Sequence, residues 1–391
     1  MTAEGVFVGD VRDWAAGLAP ESIQCVVTSP PYYGLRDYPI PPGVWGGAAG
    51  CAHAWGDEVP APWLSALPGP GGDATMHRPG RRRARRSGRW CARCGAWLGR
   101  LGQEPTVALF VAHLVGVFAA IRPALRRDGT VWLNMGDGYA HRSARDGARR
   151  GSSDGGCRRG APQGERVKAH GAIKHKDLLL VPFRLALALQ EDGWYVREDI
   201  IWEKPNALPE SVRDRPVRSH EYLFLLARSP RYRYDAAAIS EPVTGTAHAR
   251  GAGTTPKGAT AAGRGNNSWQ ATTRALVARR NARSVWRINT EAFPGEHDST
   301  FPAALVRRCL LAGSGPGDLV ADPFGGTGTV AAVAEGLGRR WALCDADERA
   351  RDWTAARLAA GAGAGDAPAG LRQLTIFDAL AAAGREGAGV G

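Results

Sequence analysis

Leu319-Val320-Ala321-Asp322-Pro323-Phe324-Gly325-Gly326-Thr327-Gly328-Thr329 runs from a short apolar strand, Leu319 to Ala321, through a glycine turn into a helix, Thr329 to Gly336. Glycines at such a junction let the backbone approach a ligand, and the unpaired amides at the helix end favour an anionic group. The turn is not the dinucleotide fingerprint GxGxxG. Nor is it a phosphate-binding P-loop, because no Lys-Ser/Thr follows the glycines. An acidic residue, Asp345, ends the next strand about twenty positions on, where ribose hydroxyls are bound in folds of this kind. Turn and acid together mark a nucleoside site in an α/β protein.

Working outward, the same alternation of strand and helix recurs. Toward the N-terminus stand a strand (Val6 to Gly9), a short helix (Arg12 to Leu18) and an apolar strand ending at Thr28. A helix from Val107 to Arg127 precedes the strand Thr130 to Asn134. The helix Leu178 to Glu191 leads into WYVREDIIWEKP and EYLFLLARS, which alternate as antiparallel neighbours do. A helix from Ala303 to Ala312, the strand Trp341 to Cys344 and the helix Glu348 to Ala359 complete the pattern. This order predicts a doubly wound, mostly parallel sheet. Three stretches break it: Tyr38 to Arg89, Ala140 to Gly171 and Ala236 to Arg283, rich in Gly, Pro, Ser or Arg and poor in apolar residues. They read as insertions or mobile loops rather than core.

The N-terminal strand stops in Cys25-Val26-Val27-Thr28-Ser29-Pro30-Pro31-Tyr32. Two successive prolines can neither donate hydrogen bonds nor continue sheet pairing. The bland reading is a rigid turn. The sharper one is a strand tip stiffened to hold a hydroxyl, a carbonyl and an aromatic ring in fixed geometry. Tyr33 and Asp37 read as ordinary loop residues.

With 391 residues, 44% of them hydrophobic, the chain is long enough for a sizeable core, as one large domain with insertions or as two. The formal net charge of +12 points to a polyanionic partner, nucleic acid above all. Arginine supplies nearly all of it, since lysine occurs only at 168, 174, 176, 204 and 257. The start lacks a signal-peptide pattern, and no apolar run is long enough to span a bilayer. The odd set of seven cysteines fits a reducing cytoplasm better than a disulfide scaffold.

Taken together, TSPPY and DPFGGTGT resemble the amino-methylating DNA methyltransferases that use S-adenosylmethionine. The order, catalytic loop first and cofactor loop last, resembles their permuted β-type arrangement. The likeness extends to Val6 to Asp10, to IIWEKPNALPESVRDRPVRSHEYLFLLA and to Ser299-Thr300-Phe301-Pro302. It implies a seven-stranded, Rossmann-like methyltransferase sheet over 1–235 and 286–360. A target-recognition segment is expected at 236–285, and double-stranded DNA is the expected partner. In this family Ser29 and the Pro30 carbonyl would accept hydrogen bonds from an exocyclic amine. Pro31 would fix the loop, and Tyr32 would stack on a base flipped out of the duplex. Asp10 would contact the cofactor's adenine and Asp345 its ribose. Phe324, Gly325, Gly326, Thr327 and Gly328 would meet its methionine and ribose region. Thr28, Phe301 and Asp322 complete the expected cofactor set. Serine at the head of SPPY is associated with N4-cytosine, whereas Asp or Asn is usual for N6-adenine. A serine hydroxyl accepts from either amine, so both bases stay open. C5-cytosine chemistry needs a cysteine nucleophile in a Pro-Cys context, which is absent. An RNA or protein methyltransferase and a catalytically silent DNA-binding protein are the competing readings.

Within the first insertion, at 40–100, Cys51-Ala52-His53 and Cys91-Ala92-Arg93-Cys94-Gly95 offer four metal ligands. The second pair has the spacing of a zinc knuckle, and the first is unusually tight. The competing reading is unrelated free cysteines. The Arg81 to Arg86 run between the pairs suits phosphate contact or plain solvation. In the tail, 361–391, Gln373-Leu374-Thr375-Ile376-Phe377 resembles the short peptide by which bacterial proteins dock on the DNA-polymerase sliding clamp. A Gly/Ala linker before it would make it reachable. An apolar tail helix packed on the core is the alternative. A homodimer is compatible with these readings.

Overall fold

Fully buried strands flanked by helices on both sides form the centre of the molecule. The computed structural model describes residues 5–35, 38–60, 86–140, 172–243, 278–291 and 301–361. In chain order the strands are β1 (Gly5–Val8), β2 (Ile23–Thr28), β3 (Gly43–Trp45), β4 (Trp55–Pro60), β5 (Arg86–Cys91), β6 (Trp97–Gly99), β7 (Leu125–Met135), β8 (Tyr195–Glu203), β9 (His220–Ala227), β10 (Glu241–Pro242), β11 (Arg279–Arg280), β12 (Val285–Arg287), β13 (Leu319–Asp322) and β14 (Arg340–Asp345). Eight of them form one sheet in the order β1-β14-β13-β2-β7-β9-β8-β12. Neighbours run parallel except on either side of β9, which is antiparallel to both β7 and β8. The doubly wound, mostly parallel sheet expected from the sequence is therefore present. It carries eight strands rather than seven, because Val285–Arg287 adds an edge to β8. Trp286 holds that edge down, fully buried at 5.9 Å from the Trp132 ring with the Arg308 guanidinium 4.4 Å above it.

Alternation along the central strands explains the two layers. Ile23 and Val26 of β2, Val131 and Leu133 of β7, Ala321 of β13 and Cys344 of β14 face one core. That core is closed by the helices Val11–Ala16, Val107–Ile121 and Val181–Glu191. Cys25, Val27, Trp132, Val320 and Leu343 face the other, under the helices Ala303–Gly313 and Thr329–Gly336. No described helix is long and apolar enough to cross a membrane.

Two sequence expectations are corrected. The helix starting at Val107, capped by Thr106 Oγ1 accepting from Leu109 N at 3.2 Å, ends at Ile121 rather than Arg127. Pro123 cannot donate into the helix, and β7 already begins at Leu125. The first insertion is not an irregular loop throughout. It builds a four-stranded antiparallel sheet, β3-β6-β5-β4, around tryptophans rather than aliphatic residues. Trp97 is fully buried there and Trp90 packs 5.1 Å from it. Most of the target-recognition stretch (244–277), the loop at 141–171, Arg81 to Arg85 and the Gln373 to Phe377 peptide lie outside the described residues.

Candidate active site along one edge of the sheet

Because the strands are mostly parallel, their C-terminal ends share an edge, and the sequence-predicted residues gather along it. Val8 of β1 is in register with Asp345 of β14, Leu343 with Asp322 of β13, and Thr28 of β2 with Leu133 of β7. The antiparallel β9 brings its N-terminal end to the same edge, with Trp202 opposite Glu221 and Asn134 opposite Leu223. Ligands bind at such edges in open α/β sheets.

Asp322 joins the two loops. Its Oδ1 accepts from Thr28 Oγ1 at 2.7 Å and from Phe324 N at 3.0 Å. Burial pushes this carboxyl up to about 7, with the nearby Asp345 adding to the rise while Thr28 and Phe324 N oppose it. No described cation pairs with it. Asp345 accepts from Gly326 N at 2.8 Å and Asp347 N at 2.9 Å, and burial raises its carboxyl as well. The glycines between are sterically required. A Cβ on Gly325 would stand 2.9 Å from Leu343 Cβ, and Gly328, at φ +76°, would drive one to 2.5 Å from Thr354 Oγ1. Asp10 caps the helix Val11–Ala16 and takes Arg12 N at 2.8 Å and Arg12 Nε at 2.9 Å. Partial burial raises its carboxyl, but these contacts hold it below its ordinary value. Phe301 packs half-buried against the second core.

At the catalytic-loop candidate the hydrogen bonds form a line. Ser29 Oγ donates to Tyr32 Oη at 3.3 Å. Tyr32 Oη lies 2.7 Å from Glu221 Oε2 and 2.9 Å from Asn134 Oδ1, and its single proton is directed to the charged acceptor. Asn134 Nδ2 also donates to Glu221 Oε2, at 3.2 Å. Lys204 forms an ion pair with the other oxygen of Glu221 and stands 4.3 Å from the Trp202 ring centre. Burial raises the Glu221 carboxyl, but Lys204, Tyr32 and Asn134 together hold it below its usual value. Gly136 lies against the tyrosine, since a Cβ there would come within 2.5 Å of Tyr32 Cε2.

Lys204 and Glu221 have side chains 5% and 15% exposed, so both charges are nearly withdrawn from water. Desolvation costs several kcal/mol per ion, and pairing seldom returns more than it costs. A pair of this kind is better explained by what it positions than by stability. Glu221, Lys204, Asn134 and Gly136 are functional candidates that sequence reasoning left without roles. The only signal was polar residues at the tips of apolar strands, in WLNMG, IIWEKP and SHEYLFLL. Tyr33 is structural, its ring 5.4 Å from that of Phe110.

The four metal-ligand candidates also converge. The ligand atoms of Cys51, His53, Cys91 and Cys94 all lie within 4.8 Å of one another, at one end of the small sheet.

Comparison with known proteins identifies the family of the chain. The DNA methylase family (N6/N4 methyltransferases) matches residues 23–356. The Type II methyltransferase M.SmaI of Serratia marcescens is 37% identical over 334 residues, covering 85% of this chain and 83% of its own. M.XycI of Xanthomonas campestris pv. cyanopsidis is 36% identical over 336 residues, covering 86% and 81%. M.Cfr9I of Citrobacter freundii is 34% identical over 336 residues, with the same coverage. Among solved structures, the PvuII DNA methyltransferase (cytosine-N4-specific) superposes with a TM-score of 0.49 at 16% identity, covering 91% of this chain and 87% of that one. On the family match and these relatives, the chain belongs to the N6/N4 DNA methylase family.

Proposed function

We propose that this methyltransferase transfers a methyl group from S-adenosylmethionine to the N4 amine of a cytosine flipped out of double-stranded DNA. The observation that carries this reading is the direction of the hydrogen bonds at Ser29. Its proton is engaged by Tyr32, so its lone pairs are left to accept from an amine. A neutral acceptor of this kind, beside the carbonyl of Pro30, suits an exocyclic amine, and the SPPY resemblance favours that of cytosine.

The cofactor's fit rests on Asp322 and the glycine turn. A buried carboxyl without a described cationic partner suits the ammonium of its methionine part, and Gly325 and Gly328 let the turn pack directly on Leu343 and Thr354, which fixes its course beside that carboxyl. S-adenosylmethionine supplies an electrophilic methyl, its S–CH3 bond breaking as the N4–CH3 bond forms. Asp345 and Asp10 take the ribose and adenine, and Thr28, Phe301 and Phe324 to Gly328 line the remainder. Pro31 stiffens the strand tip, and the Tyr32 ring stacks on the base. The amine must also shed a proton. Ser29 Oγ accepts it while passing its own to Tyr32 Oη, which passes its own to Glu221 Oε2. The net transfer runs from N4 to a carboxylate that Lys204 keeps ionised.

Digesting methylated DNA to nucleosides for mass spectrometry is the direct test, with N4-methylcytosine expected. N6-methyladenine as the sole product would reject cytosine in favour of the same chemistry on adenine. Tyr32→Phe keeps the stacking ring but breaks the proton line. Single-turnover methyl transfer should fall on the order of 10- to 100-fold with DNA affinity unchanged. Glu221→Gln should flatten the low-pH limb of the rate profile. Rates within twofold of wild type in both variants would remove the relay. Asp322 must be ionised to hold an ammonium, and its carboxyl titrates at about 7 in the free protein. As pH falls through that value the protonated fraction rises, so cofactor affinity measured by calorimetry should weaken, approaching about tenfold per pH unit. Asp322→Asn should bind weakly at every pH, and a pH-independent wild type would contradict the assignment.

The Gln373 to Phe377 peptide is proposed, on its sequence alone, to dock on the sliding clamp. Titration of a tail peptide against the purified clamp should give saturable binding, and none would end the idea. The Cys51, His53, Cys91 and Cys94 cluster is proposed as a zinc site.

A further inference from the structure

We infer that a zinc ion held by Cys51, His53, Cys91 and Cys94 is a brace for the catalytic loop, so that methyl transfer depends on a metal remote from the reacting atoms. This rests on the methyl-transfer reading but not on which base is methylated.

The ligand set comes from two turns of the small sheet. Cys91 ends β5, and the turn after it has Gly95 N donating to Cys91 O at 2.9 Å and Cys91 N donating to Ala96 O at 2.8 Å. Gly95 takes φ +71°, the left-handed conformation that closes a knuckle. Ala92 N donates to Ala54 O at 2.8 Å and Arg93 Nη1 to Ala52 O at 2.7 Å, which ties the first pair of ligands to the second. Gly47 packs so closely that a Cβ there would lie 2.8 Å from Cys94 Sγ. The distances suit a tetrahedral ion. Zn–S near 2.3 Å and Zn–N near 2.0–2.1 Å require ligand atoms about 3.5–3.8 Å apart. Cys94 Sγ and His53 Nδ1 are 3.5 Å apart, and the whole set falls within 4.8 Å. Three thiols and one imidazole select zinc over hard cations. Strands of three to six residues have little core of their own, so a metal supplies what burial cannot.

The sheet is inserted directly into the catalytic machinery. It leaves the chain after Tyr32 and returns before the helix Val107–Ile121. Its two stems are joined where Gly34 N donates to Gly102 O at 2.6 Å. Gly102, at φ +90°, approaches so closely that a Cβ would stand 3.1 Å from Tyr32 O. Gly102 N donates to Glu104 Oε2 at 2.8 Å, and the other Glu104 oxygen meets His113 Nδ1 at 3.0 Å, both side chains buried. Trp45 of β3 stacks on His113 at 5.4 Å and donates through Nε1 to Gly99 O at 3.0 Å. Arg12, which fixes Asp10, lies 4.3 Å over the same Trp45 ring. One small sheet thus touches the loop carrying Ser29 and Tyr32 on one side and the partner of a cofactor-site carboxylate on the other. Loss of its metal would loosen both, and displacement of about 1 Å in a reacting group is enough to cost two orders of magnitude in rate.

Plasma mass spectrometry of the purified full chain should find about one zinc per chain. Stripping it with a chelator, or Cys91→Ser, should lower single-turnover transfer of labelled methyl to DNA on the order of 10- to 100-fold. Readdition of zinc should restore the stripped protein. Because Cys91→Ser risks misfolding, His53→Cys serves as the second variant: it keeps four ligands and should retain metal and most activity. A folded, active protein without metal overturns the site. Zinc that can be removed with transfer unchanged within twofold, despite a lower melting temperature, overturns the brace. A rate on either base counts equally, so failure of the cytosine assignment leaves this test intact.

Discussion

The hydrogen bond from Thr28 Oγ1 to Asp322 Oδ1, 2.7 Å long and fully buried, joins residues 294 positions apart. It locks the end of the strand that carries Ser29 to the end of the strand that carries the glycine turn. The strands themselves are neighbours, β2 against β13, so the bond adds orientation to an adjacency the sheet already provides. Every other feature of the site is placed relative to this joint. Phe324 N closes on the same carboxylate, Asp345 holds Gly326 from the next strand, and Tyr32 reaches across β7 to Glu221 on β9. It also explains why the order of the two loops along the chain is immaterial to the chemistry. What matters is that both strands end at the same edge, side by side.

Much of the cofactor side was legible in the sequence because its constraints are local. A glycine turn between strand and helix, and an acid at the end of the next strand, need only a few neighbouring residues to be recognised. The candidate catalytic loop stood out for the same reason, two prolines after an apolar run. The line of hydrogen bonds from Ser29 to Lys204 was not legible. Lys204 and Glu221 meet only because β8 and β9 pair antiparallel in one particular register, and Asn134 joins them only because β9 also pairs with β7. No local pattern encodes a contact made by register. The small sheet escaped in a different way. Its segments carry few aliphatic residues, so hydrophobic periodicity was silent, while tryptophans did the packing beside a cluster of three cysteines and a histidine. Helix overrun past Ile121 came from giving an apolar run more weight than Pro123.

Charge along the edge reconciles two demands that look opposed. The chain is strongly basic, with a net charge of +12, as a partner of polyanionic DNA should be. Yet the half of the edge formed by β1, β14 and β13 gathers four acids, Asp10, Asp322, Asp345 and Asp347, of which Asp10 is paired with Arg12 and Asp347 with Arg349. That leaves Asp322 and Asp345 as the acids of this half without a described cationic partner. The other half, beyond β7, carries Lys204 and, in the loop between β8 and β9, Arg213, Arg215 and Arg218. Arg215 lies 4.1 Å over the Tyr139 ring and Arg218 is 3.9 Å from Asp137. Ser29 and Tyr32, on the strand between, stand at the boundary. In the proposed reaction the base and the cofactor meet at that boundary. The two loops of the proposed site therefore lie where the acids of one half of the edge give way to the arginines of the other.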